Sequence, residues 1–175
     1  MKPYAAQAQK KIHEAKRFVI GMAEQQIAQA PDKLVTLGLG SCIGLVLYDP
    51  AAKIAGMVHI MLPCASADTA LTNRFKFADT AIAEMIRMLT AQGALRYRLK
   101  AKMAGGAHMF SIASTMNILN VGQRNIAMCR QILSQNNISV LGEDTGGSCG
   151  RSIEFCCESS TLAVRTVAPR SMRII

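Results

Sequence analysis

Tryptophan is absent from this chain, and aromatic residues make up only 5% of its 175 positions. Proteins that bind single-stranded nucleic acid stack its bases on such rings. Here the cations are also scattered, over residues 9–17, 74–76, 96–102, 124–130 and 165–173. The net charge of +9 is therefore read as suited to an acidic protein partner rather than to a nucleic acid. Long apolar runs are missing too, and nothing approaches the roughly 18 residues of a membrane span. Residues 18–23 are too short for the apolar core of a secretion signal, and Glu24 follows at once. No membrane insertion is expected, and the expected setting is a reducing cytoplasm.

Paired metal-ligand spacing is another absence. Six cysteines stand at 42, 64, 129, 149, 156 and 157, at irregular intervals, and the vicinal pair cannot easily cross-link. Free thiols are expected. Cys149, Cys156 and Cys157 lack Cys-x-x-Cys spacing and a nearby histidine, so no metal site is expected. No Gly-Lys-Ser/Thr and no helix follows Gly38-Leu-Gly-Ser41, which excludes a phosphate loop. Residues 142–151 are glycine-rich and end in Arg151, which reads equally as an anion site and as a flexible strand connection.

Half of the residues are hydrophobic, enough for one core and one domain. Residues 1–16 have Ile12 as their one strong apolar anchor and are expected to be a flexible or helical lead-in, with His13 on its surface. Residues 17–168 form the domain and 169–175 a tail. Residues 18–28, 34–37, 43–48 and 54–60 read as strands divided by turn signals. The near-continuous apolar string at 43–47 belongs in the middle of a sheet. Ile82, Met85, Ile86 and Leu89 space out an amphipathic helix over 79–92, stopped by Gly93. Asn120 can cap a second helix with Gln123 as its reciprocal partner, and Ile126, Cys129 and Leu133 form its buried stripe. Strands are expected at 99–103 and 138–141, with a closing hairpin over 152–157 and 161–167. Strands at both ends and helices between them point to an α+β fold.

Residues 35–42 run from a short apolar strand into a glycine-bracketed turn that ends on Cys42. His59 lies toward the end of a following strand, and two strand ends can lie side by side. A thiol attacks only as thiolate, so His59 is expected as the imidazolium half of an ion pair and then as acid and base. Thr36, on the adjoining strand, can orient the second ring nitrogen. Spacing alone leaves open the plainer alternative, in which Cys42 is a small buried hydrophobe and His59 a core histidine. Gly38 and Gly40 let backbone N–H groups face an oxyanion, and would equally serve any tight turn.

Seven motifs occur in order: Leu34-Val-Thr-Leu-Gly-Leu-Gly-Ser-Cys42, Tyr48-Asp-Pro50, Gly56-Met-Val-His-Ile-Met-Leu-Pro63, Phe77-Ala-Asp79, Lys102-Met-Ala-Gly-Gly-Ala107, Asn120-Val-Gly-Gln-Arg-Asn125 and Glu143-Asp-Thr-Gly-Gly147. Over about residues 18–167 the sequence resembles the CheD family of chemoreceptor glutamine deamidases. The resemblance implies a protein-glutamine glutaminase acting on the cytoplasmic helices of methyl-accepting chemoreceptors. It implies a layered αββα fold, with mixed sheets packed together and helices outside. The family's nucleophile falls on Cys42, its histidine on His59 and its threonine on Thr36, with Gly40 and Ser41 in the oxyanion turn. No cofactor is needed for such acyl transfer, and methyl-ester hydrolysis would share the acyl intermediate. The resemblance also implies a possible CheC phosphatase partner, hence an alternative, non-catalytic role as its regulator in CheY dephosphorylation. Phe77 stands where the family pattern has Tyr, and Ser148-Cys149 replaces an Asn-containing version. His108 and Cys64 fall outside the motifs.

Overall fold

Burial divides the strands into two sheets. Strands β4 (Ile43–Asp49) and β5 (Ile54–Ile60) are buried at every position, as strands covered on both faces must be. With β2 (Gln25–Gln29), β6 (Lys100–Gly105) and β7 (Ser139–Thr145) they form a central sheet ordered β2-β5-β4-β6-β7. An outer sheet is ordered β1-β3-β8-β9-β10, from β1 (Arg17–Ile20), β3 (Lys33–Leu39), β8 (Arg151–Cys156), β9 (Thr161–Thr166) and β10 (Ser171–Ile174). Both sheets are mixed: β1 runs parallel to β3 and β6 to β7, while the other pairs are antiparallel. These elements come from a computed structural model that describes residues 14–66, 73–108, 121–166 and 170–175.

Helices α1 (Ala78–Ala91) and α2 (Val121–Gln135) pack on one face of the central sheet. Ile82, Met85 and Leu89 of α1 and Ile126, Cys129 and Leu133 of α2 meet Ile43, Leu45, Val58 and Ile60 there. The opposite face packs on the outer sheet through Val46, Tyr48 and Met57 against Leu34, Ile153 and Phe155. Each large side chain buried in these layers contributes about 1.5–3 kcal/mol.

The fold is α+β, as the sequence leads one to expect. Among the described residues its layers are helices, central sheet and outer sheet, and both helices share one side. β8 alternates buried and half-buried residues, which leaves Ser152, Glu154 and Cys156 on a far face too polar to seat an apolar helical stripe.

Residues 18–28 are two strands, not one. Gly21 donates its N–H to the Glu24 carboxylate at 3.0 Å, and Ala23 takes a φ of 58°, so the chain turns and crosses from outer to central sheet. The segment read as a C-terminal tail supplies β10, paired with β9, and Ile175 exchanges backbone hydrogen bonds with Leu162. The proposed cap Asn120, His13 and most of the 1–16 lead-in lie outside the described residues. Among the described residues no helix is long and apolar enough to cross a membrane.

Candidate active site

The chain leaves the outer sheet through a bulge between Thr36 and Leu39. Gly38 has a φ of +70° there, which favours glycine. The chain enters the central sheet at Ile43, so Thr36 and Cys42 belong to facing sheets; Thr36 is across the core from the other two residues, not on a strand adjoining theirs. In the central sheet Gly44 pairs with His59. Cys42, two residues earlier, is then the diagonal neighbour of His59 on the same face, a backbone separation of roughly 7–8 Å that an imidazole can span. That face looks into the space between the sheets, where the half-buried Cys42 packs on the inter-sheet core.

Gly44 makes room for the third member. A Cβ there would come within 2.5 Å of Ile153 Cδ1 and 3.1 Å of Thr36 Cγ2. With none, Thr36 Oγ1 reaches to 2.8 Å from His59 Nδ1. The same hydroxyl donates to the Ile20 carbonyl at 2.8 Å. Its one hydrogen is committed, so toward His59 it accepts; Nδ1 carries the ring proton and Nε2 an open lone pair. His59 is buried, and its Nε2 has no hydrogen-bond partner among the described residues.

Burial pushes the Cys42 thiol above its ordinary value, against a smaller lowering by its own backbone N–H. Burial also holds His59 below its ordinary value. Both shifts favour uncharged forms. The direction of both shifts runs against the expected ion pair, and its physical cause is the loss of water around each group. This arrangement can perform general-base activation of the thiol at the moment of attack.

The turn before Cys42 is held by its carbonyls. Ala107 donates its N–H to Gly40 O at 2.8 Å and Gly106 to Cys42 O at 2.8 Å, while the Asn125 side chain donates to Ser41 O at 2.9 Å. Gly105 has a φ of +115°, and a Cβ on it would lie 2.1 Å from Cys42 O, so glycine is required there. The Ser41 N–H is taken by no acceptor among the described residues.

Other candidates have structural tasks. Arg151 is buried, with Nε donating to Asp144 at 2.8 Å and a terminal nitrogen to Cys149 O at 3.0 Å; its guanidinium closes its own loop, which removes the cation from the anion reading. All six cysteines are unpaired, and burial pushes Cys129 and Cys157 up to about 12. Exposed His108 contributes its backbone N–H to Gly147 O at 2.8 Å. Asn125 was overlooked by spacing arguments. The available signal was one polar residue on the same helical stripe as Ile126, Cys129 and Leu133.

A family model described as CheD chemotactic sensory transduction matches residues 61–166, more than half of the chain. The chain belongs to the CheD family. Its relatives agree. It is similar to the chemoreceptor glutamine deamidase CheD of Bacillus velezensis, with 50% identity across 88% of this chain and 93% of that one. Identity to the Bacillus subtilis protein of the same name is 48% over the same shares. A probable chemoreceptor glutamine deamidase CheD of Caldanaerobacter subterraneus is 46% identical, over 88% of this chain and 95% of that one. An alignment of that extent takes in Thr36, Cys42 and His59 wherever it begins, although the family model starts beyond all three.

Proposed function

We propose that this CheD-family chain is a protein-glutamine deamidase of chemoreceptors, with Cys42 as nucleophile, His59 as base and acid, and Thr36 as the residue that orients His59. The observation that carries this reading is the Thr36 hydroxyl, which donates to Ile20 and accepts from Nδ1, leaving Nε2 buried and unpaired on the sheet face that Cys42 shares.

Nε2 takes the Cys42 proton as the sulfur attacks the carboxamide carbon of a receptor glutamine. The carbonyl oxygen becomes an oxyanion facing the backbone N–H groups of residues 41 and 42. The imidazolium returns the proton to the amide nitrogen, the C–N bond breaks and ammonia departs, leaving a thioester on Cys42. Nε2 then deprotonates a water that attacks the thioester, and the expelled thiolate recovers the proton. The product is glutamate. The reactive groups of this route are all side chains and backbone of the chain itself.

The substrate follows the names of the relatives, and the net charge of +9 suits an acidic helical surface. Unpaired thiols fit a reducing, cytoplasmic setting. A receptor peptide bearing a target glutamine, incubated with the protein and read by mass spectrometry, tests the proposal. Conversion to glutamate is expected, and equal conversion by Cys42→Ala overturns it. A binding-only role as regulator of a CheC phosphatase has no use for a buried imidazole whose basic nitrogen is left unpaired. If such a phosphatase binds here, it should compete with the receptor peptide.

A further inference from the structure

We infer that Asn125 is a positioning residue for acyl transfer: its side-chain amide grips the Ser41 and Met61 carbonyls and so turns the Cys42 backbone N–H toward the developing oxyanion. The inference rests on the reading of Cys42 as the nucleophile of a glutamine deamidase.

Asn125 is fully buried on the apolar stripe of α2, where a polar group is costly unless it is hydrogen-bonded. Its Nδ2 donates to Ser41 O at 2.9 Å and to Met61 O at 3.0 Å. The β4–β5 ladder ends at the pair Ile43 and Ile60. Past that point the strands part, and the Met61 N–H turns away to Lys76 O at 2.9 Å. The amide of Asn125 fills this split, with one hydrogen on each strand. The opposite flip would set an oxygen against two carbonyls, so the donor assignment is forced. Asn125 Oδ1 is buried with no partner among the described residues. A residue kept only to fill the stripe would carry no such orphan.

The direction of the grip matters. In a trans peptide the N–H of the following residue points opposite to the carbonyl. Asn125 holds the Ser41 carbonyl in the split between the two strands, and the peptide plane that carries the Cys42 N–H is fixed with it. The Gly40 carbonyl, held by the Ala107 N–H, fixes the Ser41 N–H in the same manner.

Asn125→Asp changes one heavy atom and removes both donors. Deamidation of a receptor glutamine peptide and alkylation of Cys42 by iodoacetamide across pH separate the outcomes, because alkylation builds no oxyanion. Expected are a kcat lower by about 10²–10³-fold, the loss typical of one oxyanion donor, and a KM within about threefold of wild type. The alkylation rate and its pH profile should stay unchanged. Unchanged kcat, or alkylation falling in step with kcat, overturns the inference. Asn125→Ser keeps one donor and is expected to lie between; should the aspartate variant not fold, wild-type kcat in the serine variant overturns the idea. An inactive wild type sinks the deamidase reading and this one together, whereas an active wild type with equally active variants sinks this one alone.

Discussion

Replacing Thr36 by valine keeps the side-chain outline and removes the oxygen on which the site turns. Two buried groups then lose their partner at once: the Nδ1–H of His59 and the carbonyl of Ile20. Each orphan costs about 1–3 kcal/mol, so the pair costs about 2–4 kcal/mol after partial relaxation. In a domain of this length that lowers Tm by about 4–16 °C. The catalytic loss is larger. Without an acceptor at Nδ1 the ring is free to move its proton to Nε2, where it can no longer receive the thiol hydrogen. General-base assistance contributes about 10²–10⁴-fold, and kcat should fall by that order at a temperature where the variant is folded. Thr36→Ser, which keeps the hydroxyl, should retain most of the activity. Ammonia release from a receptor glutamine peptide gives the rates, and nitrogen NMR of histidine-labelled protein reads the tautomer directly. A wild-type ring with its proton on Nε2 at neutral pH would refute the reasoning, as would a folded Thr36→Val enzyme with full kcat.

Because burial raises the Cys42 thiol and lowers His59, alkylation of Cys42 should climb steadily with pH into the alkaline range; a plateau beginning at acid pH would reveal a thiolate–imidazolium pair instead. In stability terms the depressed His59 costs folding free energy as pH falls below its ordinary value of 6.5, since the unfolded chain then takes the proton more readily. The raised Cys42 costs stability as pH rises above 9.0, so in urea titrations these two groups leave a maximum between those limits. Gly44→Ala drives a methyl into Ile153 and Leu39, at 2.5 and 2.9 Å; about 1–3 kcal/mol of overpacking and a displaced Thr36 should lower deamidation at least tenfold. Gly56→Ala, whose methyl chiefly meets the mobile end of Met85, should stay active. Asp49, held down to about 2 by Arg98 and the backbone N–H groups of Leu95 and Ala52, stabilises the fold above its ordinary value of 3.8, and that contribution fades as pH drops toward 2. Asp49→Asn should cost about 3 kcal/mol in chemical unfolding, the low end for a broken buried pair, because the Arg98 side chain is 32% exposed.

What could be read from the sequence was whatever has a period or a fixed local geometry. The near-continuous apolar string of β4 announced a strand covered on both faces, and the stripe through Ile82, Met85 and Leu89 announced α1. The distribution of strands between two sheets was not legible, because it depends on partners far away in sequence. Residues 18–28 look like one β-prone run, yet pairing with β3 claims the first part and pairing with β5 the second. β10 has no buried face to leave an apolar signature; all four residues are exposed, and only its pairing with β9 defines it. At the site, resemblance singled out Cys42, His59 and Thr36, but the direction in which burial moves the Cys42 thiol and the His59 ring follows from desolvation, a property of the packed core. Asn125 was visible in principle, since a polar residue on a helix's buried stripe must find a partner, although the partner itself was not.

The division of the site between sheets constrains how one imidazole can serve every step. Nδ1 is tied to the outer sheet through Thr36, and Thr36 is tied in turn to β1 through the Ile20 carbonyl. The ring is thereby held with Nδ1 on Thr36, and in the proposed mechanism Nε2 alone takes the thiol proton, delivers it to the departing ammonia and deprotonates the water. A single nitrogen manages three transfers only if sulfur, leaving group and water occupy the same small space in succession. The burial that disfavours charge on both Cys42 and His59 suits that sequence, because a base that is empty when the amide arrives can take the thiol proton during attack. The cost falls on the fold: the distance between the sheets, set by Gly44, Ile153 and Leu39, becomes a catalytic variable, and packing changes there should alter kcat before they unfold the domain.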